Sequence, residues 1–216
     1  MRVPVQDSLL DLGDAPAPGA LRPERARLAR GAWVDVQRGW LAGSAELFTR
    51  LAERVPWHAE RRRMYDRTVD VPRLLCFYGA DATLPDPVLA GCRARLNDYY
   101  QTELGEPFAT AGLCLYRDGQ DSVAWHGDTI GRGRTEDTMV AILSVGAARP
   151  LLLRPRPGVQ PGPGTGTTGT LRYSLGHGDL IVMGGSCQRT WEHAIPKSAQ
   201  STGARISIQF RPRGVR

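Results

Sequence analysis

Two periodicities divide the chain. Up to about residue 105 the apolar positions recur at helical spacing, and beyond it they alternate. Leu47, Phe48 and Leu51 share one face of a helix predicted from Ser44, read as its N-cap, to about Val55. Pro85 and Pro87 open a second helix with the stripe Leu89, Cys92, Leu96 and Tyr100, and Gly105 is read as its end. A short strand is predicted over residues 33–36. Residues 61–67, Arg-Arg-Arg-Met-Tyr-Asp-Arg, are read as a loop or hairpin. Farther on, residues 113–116, 139–145, 180–183 and 205–211 read as short strands separated by Gly and Pro, the pattern of a β-sandwich or jelly roll. Residues 155–170 are a Pro/Gly/Thr stretch too polar for core and are read as a mobile loop. No internal repeat is visible.

The fold class expected is therefore mainly β with flanking helices: a jelly roll preceded by a helical extension. The division expected is a loosely ordered arm over residues 1–30, an extension with helices over 31–110, and a β core over 111–213. At 216 residues and 41% hydrophobic content the chain is long enough for one domain with a core. No run of about 18 apolar residues suggests a membrane span, and residues 1–19 lack a signal layout. A cytoplasmic protein is expected.

Charge adds a hint about partners. The net charge is +6, and Lys197 is the only lysine. Arginine grips phosphate with a two-pronged fork, so an anionic partner, nucleic acid first, fits this balance. A GC-rich codon bias fits it equally well. Cys76, Cys92, Cys114 and Cys187 form no Cys-x-x-Cys pair, which argues against a zinc site and for reduced thiols.

The chemistry concentrates in two short stretches. In Trp125-His126-Gly127-Asp128, an imidazole and a carboxylate two positions apart face the same way on an extended segment. They make two legs of a two-His-one-carboxylate metal site, which needs one further histidine. His193 follows the apolar strand at 180–183, where a strand end lets it reach back. His177, in a Gly-His-Gly-Asp turn, and His58 are read as surface residues. The second stretch is residues 205–211, Arg-Ile-Ser-Ile-Gln-Phe-Arg. Ile206, Ile208 and Phe210 share one face, and Arg205, Ser207, Gln209 and Arg211 share the other. If that polar face is interior, two buried guanidiniums call for a dicarboxylate. If the strand is an exposed edge, the arginines simply guard it.

Taken together, these residues resemble the AlkB family of Fe(II)/2-oxoglutarate dioxygenases, with the chain closest in character to bacterial, actinobacterial members. The resemblance covers roughly residues 60–213. It rests on Pro72-Arg73, Tyr78-Gly79, Tyr116-Arg117-Asp118-Gly119, Trp125 to Asp128, residues 178–183, His193, and the Arg205/Arg211 pair. It implies a double-stranded β-helix (a jelly roll) with iron held by His126, Asp128 and His193 as the catalytic centre. Arg205, helped by Tyr116, would pair with the distal carboxylate of 2-oxoglutarate, and Arg211 would lie near its chelating end. The implied reaction consumes O2 and oxidatively demethylates alkylated bases, as in DNA repair, on single-stranded or base-flipped duplex DNA or on RNA. A nucleotide-recognition lid is implied ahead of the core, matching Arg61, Arg62, Arg63, Met64 and Tyr65, with Tyr78 as a stacking residue or a core tyrosine. Trp125 is either packing behind the metal or a substrate contact. Arg189 and Lys197 are phosphate contacts or surface. A monomer without membrane association is expected.

Two positions depart from the family pattern. Cys114 stands where an asparagine usually orients the cosubstrate, and Ser207 or Gln209 would have to fill that gap. Ile130 stands where some members carry an acid that recognises a cationic methylated base, with Glu136 or Asp137 as substitutes from the loop. A 2-oxoglutarate-dependent hydroxylase of protein or a small molecule stands as the alternative enzyme reading, and Cys114 motivates a third, a nucleic-acid binder with an inactive iron centre.

Overall fold

A computed structural model describes residues 15–64, 67–159, 169–200 and 202–215, with the backbone alone at 62–64 and 67–70. The elements are β1 (Ala17–Pro18), β2 (Glu24–Arg27), β3 (Ala32–Gln37), β4 (Leu41–Ala42), α1 (Ser44–Arg54), β5 (His58–Met64), β6 (Arg67–Tyr78), α2 (Pro87–Tyr100) and β7 (Phe108–Tyr116). They continue with β8 (Val123–His126), β9 (Val140–Gly146), β10 (Arg149–Pro155), β11 (Leu171–Leu175), β12 (Asp179–Gly185), α3 (Cys187–Thr190), β13 (Trp191–Ile195) and β14 (Arg205–Pro212).

Two antiparallel sheets make the jelly roll. The large one has the order β2-β3-β12-β9-β14-β7-β6-β5, and the small one β11-β10-β13-β8. One face of the large sheet packs on α1 and α2 through Leu47, Phe48, Leu89, Leu96, Ile206, Ile208 and Phe210. The other faces the small sheet, where Ile142, Ile181 and Met183 meet Leu151, Leu153, Trp191 and Ile195. A strand covered on both sides must be buried at every position, and β9 is. The fold class read from alternation is thus the fold observed. β14 lies in the middle of the large sheet, between β9 and β7, so the edge-strand reading of its arginines falls away.

The helices follow their sequence signals closely. In α2, Leu89, Cys92, Leu96 and Tyr100 are the buried stripe, and the Asp86 carboxylate accepts from the Val88 N–H at 3.0 Å ahead of Pro87. The helix ends at Tyr100 rather than Gly105, and the residues between form a turn in which the Glu103 and Leu104 N–H groups both donate to the Tyr100 carbonyl. In α1, Ser44 is the first helical residue. Gly43, with φ of 63°, takes the preceding position in a left-handed conformation, so the serine does not cap.

Residues 15–30, expected as part of a loose arm, are tied to the sheet. Arg25 in β2 makes a bidentate ion pair with buried Asp35, both bonds 2.7 Å, and its guanidinium lies 3.8 Å from the Trp33 ring centre. The Tyr100 hydroxyl donates to the same carboxylate at 2.9 Å. A polar, Pro-rich sequence conceals this clasp because its partners lie on β3 and α2. The first 14 residues of the expected arm lie outside the described residues, as do residues 160–168 of the Pro/Gly/Thr loop. The division expected at residue 110 falls inside β7, and strands from both sides of it share the large sheet. Among the described residues no helix is long and apolar enough to cross a membrane.

Candidate metal centre

The backbone brings the three predicted ligands together. His193 sits in the middle of β13, not at its end, and is the direct cross-strand partner of His126, the last residue of β8. Their ring centres are 4.2 Å apart. Asp128 lies just past the strand, its carboxylate 4.0 Å from His193 Nε2. The ligand atoms of the three side chains all fall within 4.8 Å of one another. That is the spacing at which one metal ion can bind all three.

Neighbours fix each ligand. His126 Nδ1–H donates to the Ala124 carbonyl at 2.8 Å, which leaves Nε2 as the lone-pair atom. The Asp128 backbone N–H donates to Gln188 Oε1 at 2.9 Å, so α3 holds the loop that carries it. Gly127 separates the two ligands for steric reasons. A Cβ there would collide with the Gln188 carbonyl oxygen and the Arg156 guanidinium. Asp128 Oδ1 accepts from Arg211 Nη2 at 3.1 Å, while Oδ2 is buried with no protein partner.

Electrostatics leave Asp128 and His193 in the form a divalent ion needs. Burial pushes the Asp128 carboxyl up, but Arg211 and the imidazoles of His193 and His126 outweigh it and hold the group at about 2. Burial, reinforced by His126, pushes His193 down to about 3. A neutral His193 imidazole beside an ionised Asp128 carboxylate need lose no proton to take a metal at neutral pH.

The polar face of β14 adjoins this cluster through Arg211. Arg205 is 1% exposed. It lies across from Tyr116, with its guanidinium 5.4 Å from that ring and Nη2 donating to Ser144 Oγ at 2.6 Å. Its Nε and Nη1 are buried without protein partners, and burial depresses its pKa. Ser207 faces Cys114 in register. Gln209 donates to Ser207 Oγ at 2.6 Å and accepts from Cys114 Sγ at 3.7 Å. The rung where an asparagine is usual is therefore closed by a Cys–Gln–Ser chain. Gly112 makes the room for it, since a Cβ there would meet Arg211 Nη1 at 2.8 Å and Gln209 Oε1 at 3.1 Å.

The remaining predicted residues are scattered. His177 and His58 are exposed, His177 in a turn with φ of 47°. Trp125 is on the reverse of β8 from His126, half-buried under the Arg154 guanidinium at 4.1 Å. Arg61, Arg62, Arg63 and Met64 lie on β5, whose hairpin partner β6 pairs with β7 only from Leu74 to Tyr78. The hairpin's outer part therefore runs beyond the sheet. Arg61 is exposed, the side chains of Arg62, Arg63 and Met64 are not described, and Tyr65 lies outside the described residues. Tyr78 faces the helix-side core, packed with Leu74 and Cys76. Its neighbour Phe77 takes the other face, in register with Gly112 and on the side of Gln209, and is 44% exposed. Glu136 and Asp137, weighed as acidic substitutes, are already bonded to the Gly133 N–H and to Arg189. Lys197 is exposed. Sequence reasoning missed Phe77, Gly112, Ser144 and Gln188. Only Phe77 left a signal, through the period-two parity of β6.

Residues 95–211 match the family profile described as the 2OG-Fe(II) oxygenase superfamily. Among curated proteins, the bovine alpha-ketoglutarate-dependent dioxygenase alkB homolog 3 is 31% identical over 78% of this chain and 63% of its own length. The DNA oxidative demethylase ALKBH2 of Arabidopsis thaliana is 30% identical over 83% of this chain and 63% of its own. The chain thus spans just under two thirds of the length of these relatives. A solved structure described as OsALKBH1 superposes with a TM-score of 0.54 at 11% identity, covering 89% of this chain and all of the other, a likeness of fold. With that profile and the His-Asp-His cluster on a jelly roll, the chain belongs to the 2OG-Fe(II) oxygenase superfamily, and it is similar to AlkB homologues within it.

Proposed function

We propose that the chain carries out Fe(II)- and 2-oxoglutarate-dependent oxidative demethylation of alkylated bases in nucleic acid. One observation supports this above the rest. Asp128 Oδ2, beside the imidazoles of His126 and His193, is buried without a protein partner, and so are Nε and Nη1 of Arg205, on the strand whose Arg211 holds Asp128; the space between them is the proposed chamber. Buried charged atoms left unpaired cost several kcal/mol, roughly, so a cation and an anion belong there.

His126, Asp128 and His193 would hold the iron. Arg211 orients the Asp128 carboxylate and keeps it ionised. Arg205 would take the distal carboxylate of 2-oxoglutarate, with Tyr116 closing that end, while Ser207, Gln209 and Cys114 shape the wall between. Bound there, iron, 2-oxoglutarate and O2 supply the oxidation: the keto acid leaves as succinate and carbon dioxide, and the hydroxylated N-methyl carbon is lost as formaldehyde. The protein's part is to exclude water from the chamber and to hold the base at its mouth. A methylated pairing edge is inaccessible in a duplex, so the substrate is a single strand or a flipped base. The basic hairpin of β5 and β6 would grip phosphate, and Phe77, on the chamber face, would stack on the base. The protein acts as a monomer in the cytoplasm. The bovine and plant relatives carry names that point the same way.

Mass spectrometry of methylated single- and double-stranded DNA and RNA oligonucleotides, incubated with Fe(II) and 2-oxoglutarate, tests this. Loss of the methyl group with matching formaldehyde and succinate is expected, fastest on single strands. Succinate release that no oligonucleotide stimulates, but a peptide or small metabolite does, would move the assignment to a protein or small-molecule hydroxylase.

A further inference from the structure

One buried cation has no part in the assignments above. Arg149 opens β10 and shares the inner face of the small sheet with Leu151 and Leu153. It is fully buried, and Nε has no partner. Nη1 donates to the Asp118 carbonyl at 2.6 Å, and Nη2 to the carbonyls of Asp121 and Pro196, both at 2.9 Å. These carbonyls belong to the loop entering β8 and to the residue after β13, the two strands that carry His126 and His193. Among the described residues no carboxylate forms an ion pair with it. The acids beside it are engaged, Asp121 by Arg117 in two bonds of 2.8 Å and Asp118 by the Gln120 N–H.

Arg149 also lies near Arg205. Its guanidinium carbon is 5.8 Å from the Tyr116 ring centre, and that of Arg205 is 5.4 Å from the same ring. Two guanidiniums, one from each sheet, thus approach a single buried phenol. Burial lowers the pKa of both, and Arg149 further lowers that of Arg205. Asp121 and Asp118 offset part of the charge on Arg149, but among the described residues no carboxylate does so for Arg205, so the positive charge left between the two guanidiniums favours an anion beside them.

We propose that Arg149 is a specificity-determining and positioning residue: with Arg205 it forms a two-cation end to the chamber that selects a keto acid carrying a second carboxylate. The proposal rests on the cosubstrate reading above. Its three carbonyl contacts fix the guanidinium and tie this end of the chamber to both metal-bearing strands.

Calorimetric titration of the Mn(II)-loaded protein with two probes tests it. 2-Oxoglutarate has both carboxylates, and 2-oxobutyrate keeps the keto acid but lacks the distal one. Arg149→Met is expected to weaken 2-oxoglutarate about tenfold and 2-oxobutyrate by less than about twofold, and Arg205→Met to do the same more severely. Equal losses for both probes in Arg149→Met, or no loss for either, would overturn the role of Arg149 alone. No loss for 2-oxoglutarate in Arg205→Met would overturn the chamber assignment itself. Should Arg149→Met fail to fold, a crystal structure of the unaltered protein with Mn(II) and N-oxalylglycine decides. The distal carboxylate is expected within direct or single-water reach of Arg149, and a carboxylate farther away contradicts the proposal.

Discussion

The two faces of β14 are buried to nearly the same degree and do opposite things. Ile206, Ile208 and Phe210 pack with α1 and α2 into continuous hydrocarbon. Arg205, Ser207 and Gln209, on the alternate positions of the same strand, are 1%, 3% and 7% exposed, yet they are polar throughout. The apolar face gains stability from every contact. The polar face spends it, leaving guanidinium nitrogens unpaired where a hydrocarbon would be more stable. Burial therefore does not separate core from site. On this strand the buried guanidinium nitrogens with unmet partners do, and they point to what the site must bind.

The sharpest break of this contrast is at the metal. His193→Ala is expected to take uncoupled 2-oxoglutarate turnover below about 1% of wild type, beyond the 10–100-fold that even outer partners of a metal cost. The apo protein's urea midpoint should not fall. Retained turnover would transfer the third ligand to another histidine. On the opposite face, Phe210→Ala should destabilise by about 3–5 kcal/mol in urea unfolding while the folded fraction keeps its Mn(II) affinity. Loss of metal affinity in the folded protein would mean that the faces are not separable.

Between these extremes, Arg205→Met should raise the 2-oxoglutarate Kd at least about tenfold and yet leave the apo protein as stable or more stable by about 1 kcal/mol. A drop in apo stability of that size would show that Arg205 supports the fold. The smallest effect is expected at the chamber mouth. Phe77→Ala should weaken single-stranded oligonucleotide binding about fivefold, the low end for loss of one stacking ring, and Tyr78→Phe should leave it unchanged. The reverse ranking would exchange the faces assigned to the two aromatics.

How much of this was legible depends on how local each signal is. The alternation in residues 205–211 showed one apolar and one arginine-bearing face, but not which strands flank it. Its central position, which makes the polar face interior, depends on pairings with β7 and β9 far away in the chain. The His126/Asp128 spacing was legible because both ligands come from one short segment. His193 was legible as a candidate, but its place mid-strand opposite His126 depends on the β8–β13 register. Phe77 and Tyr78 show the limit. Adjacent residues point to opposite faces, and parity alone cannot say which face is the chamber until β6 is paired with β7. Gly112, Gly127 and Gln188 act through contacts with other segments that leave no trace in their own neighbourhood. The Arg25–Asp35 clasp escaped for the same reason.

The central claim is that His126, Asp128 and His193 hold one iron ion beside a keto acid anchored by Arg205. Anaerobic titration of the protein with Fe(II) and 2-oxoglutarate, followed by visible absorption, tests it most directly. The account predicts a charge-transfer band that saturates at one iron per chain, vanishes in His193→Ala and needs more 2-oxoglutarate in Arg205→Met. An undiminished band in His193→Ala would contradict it.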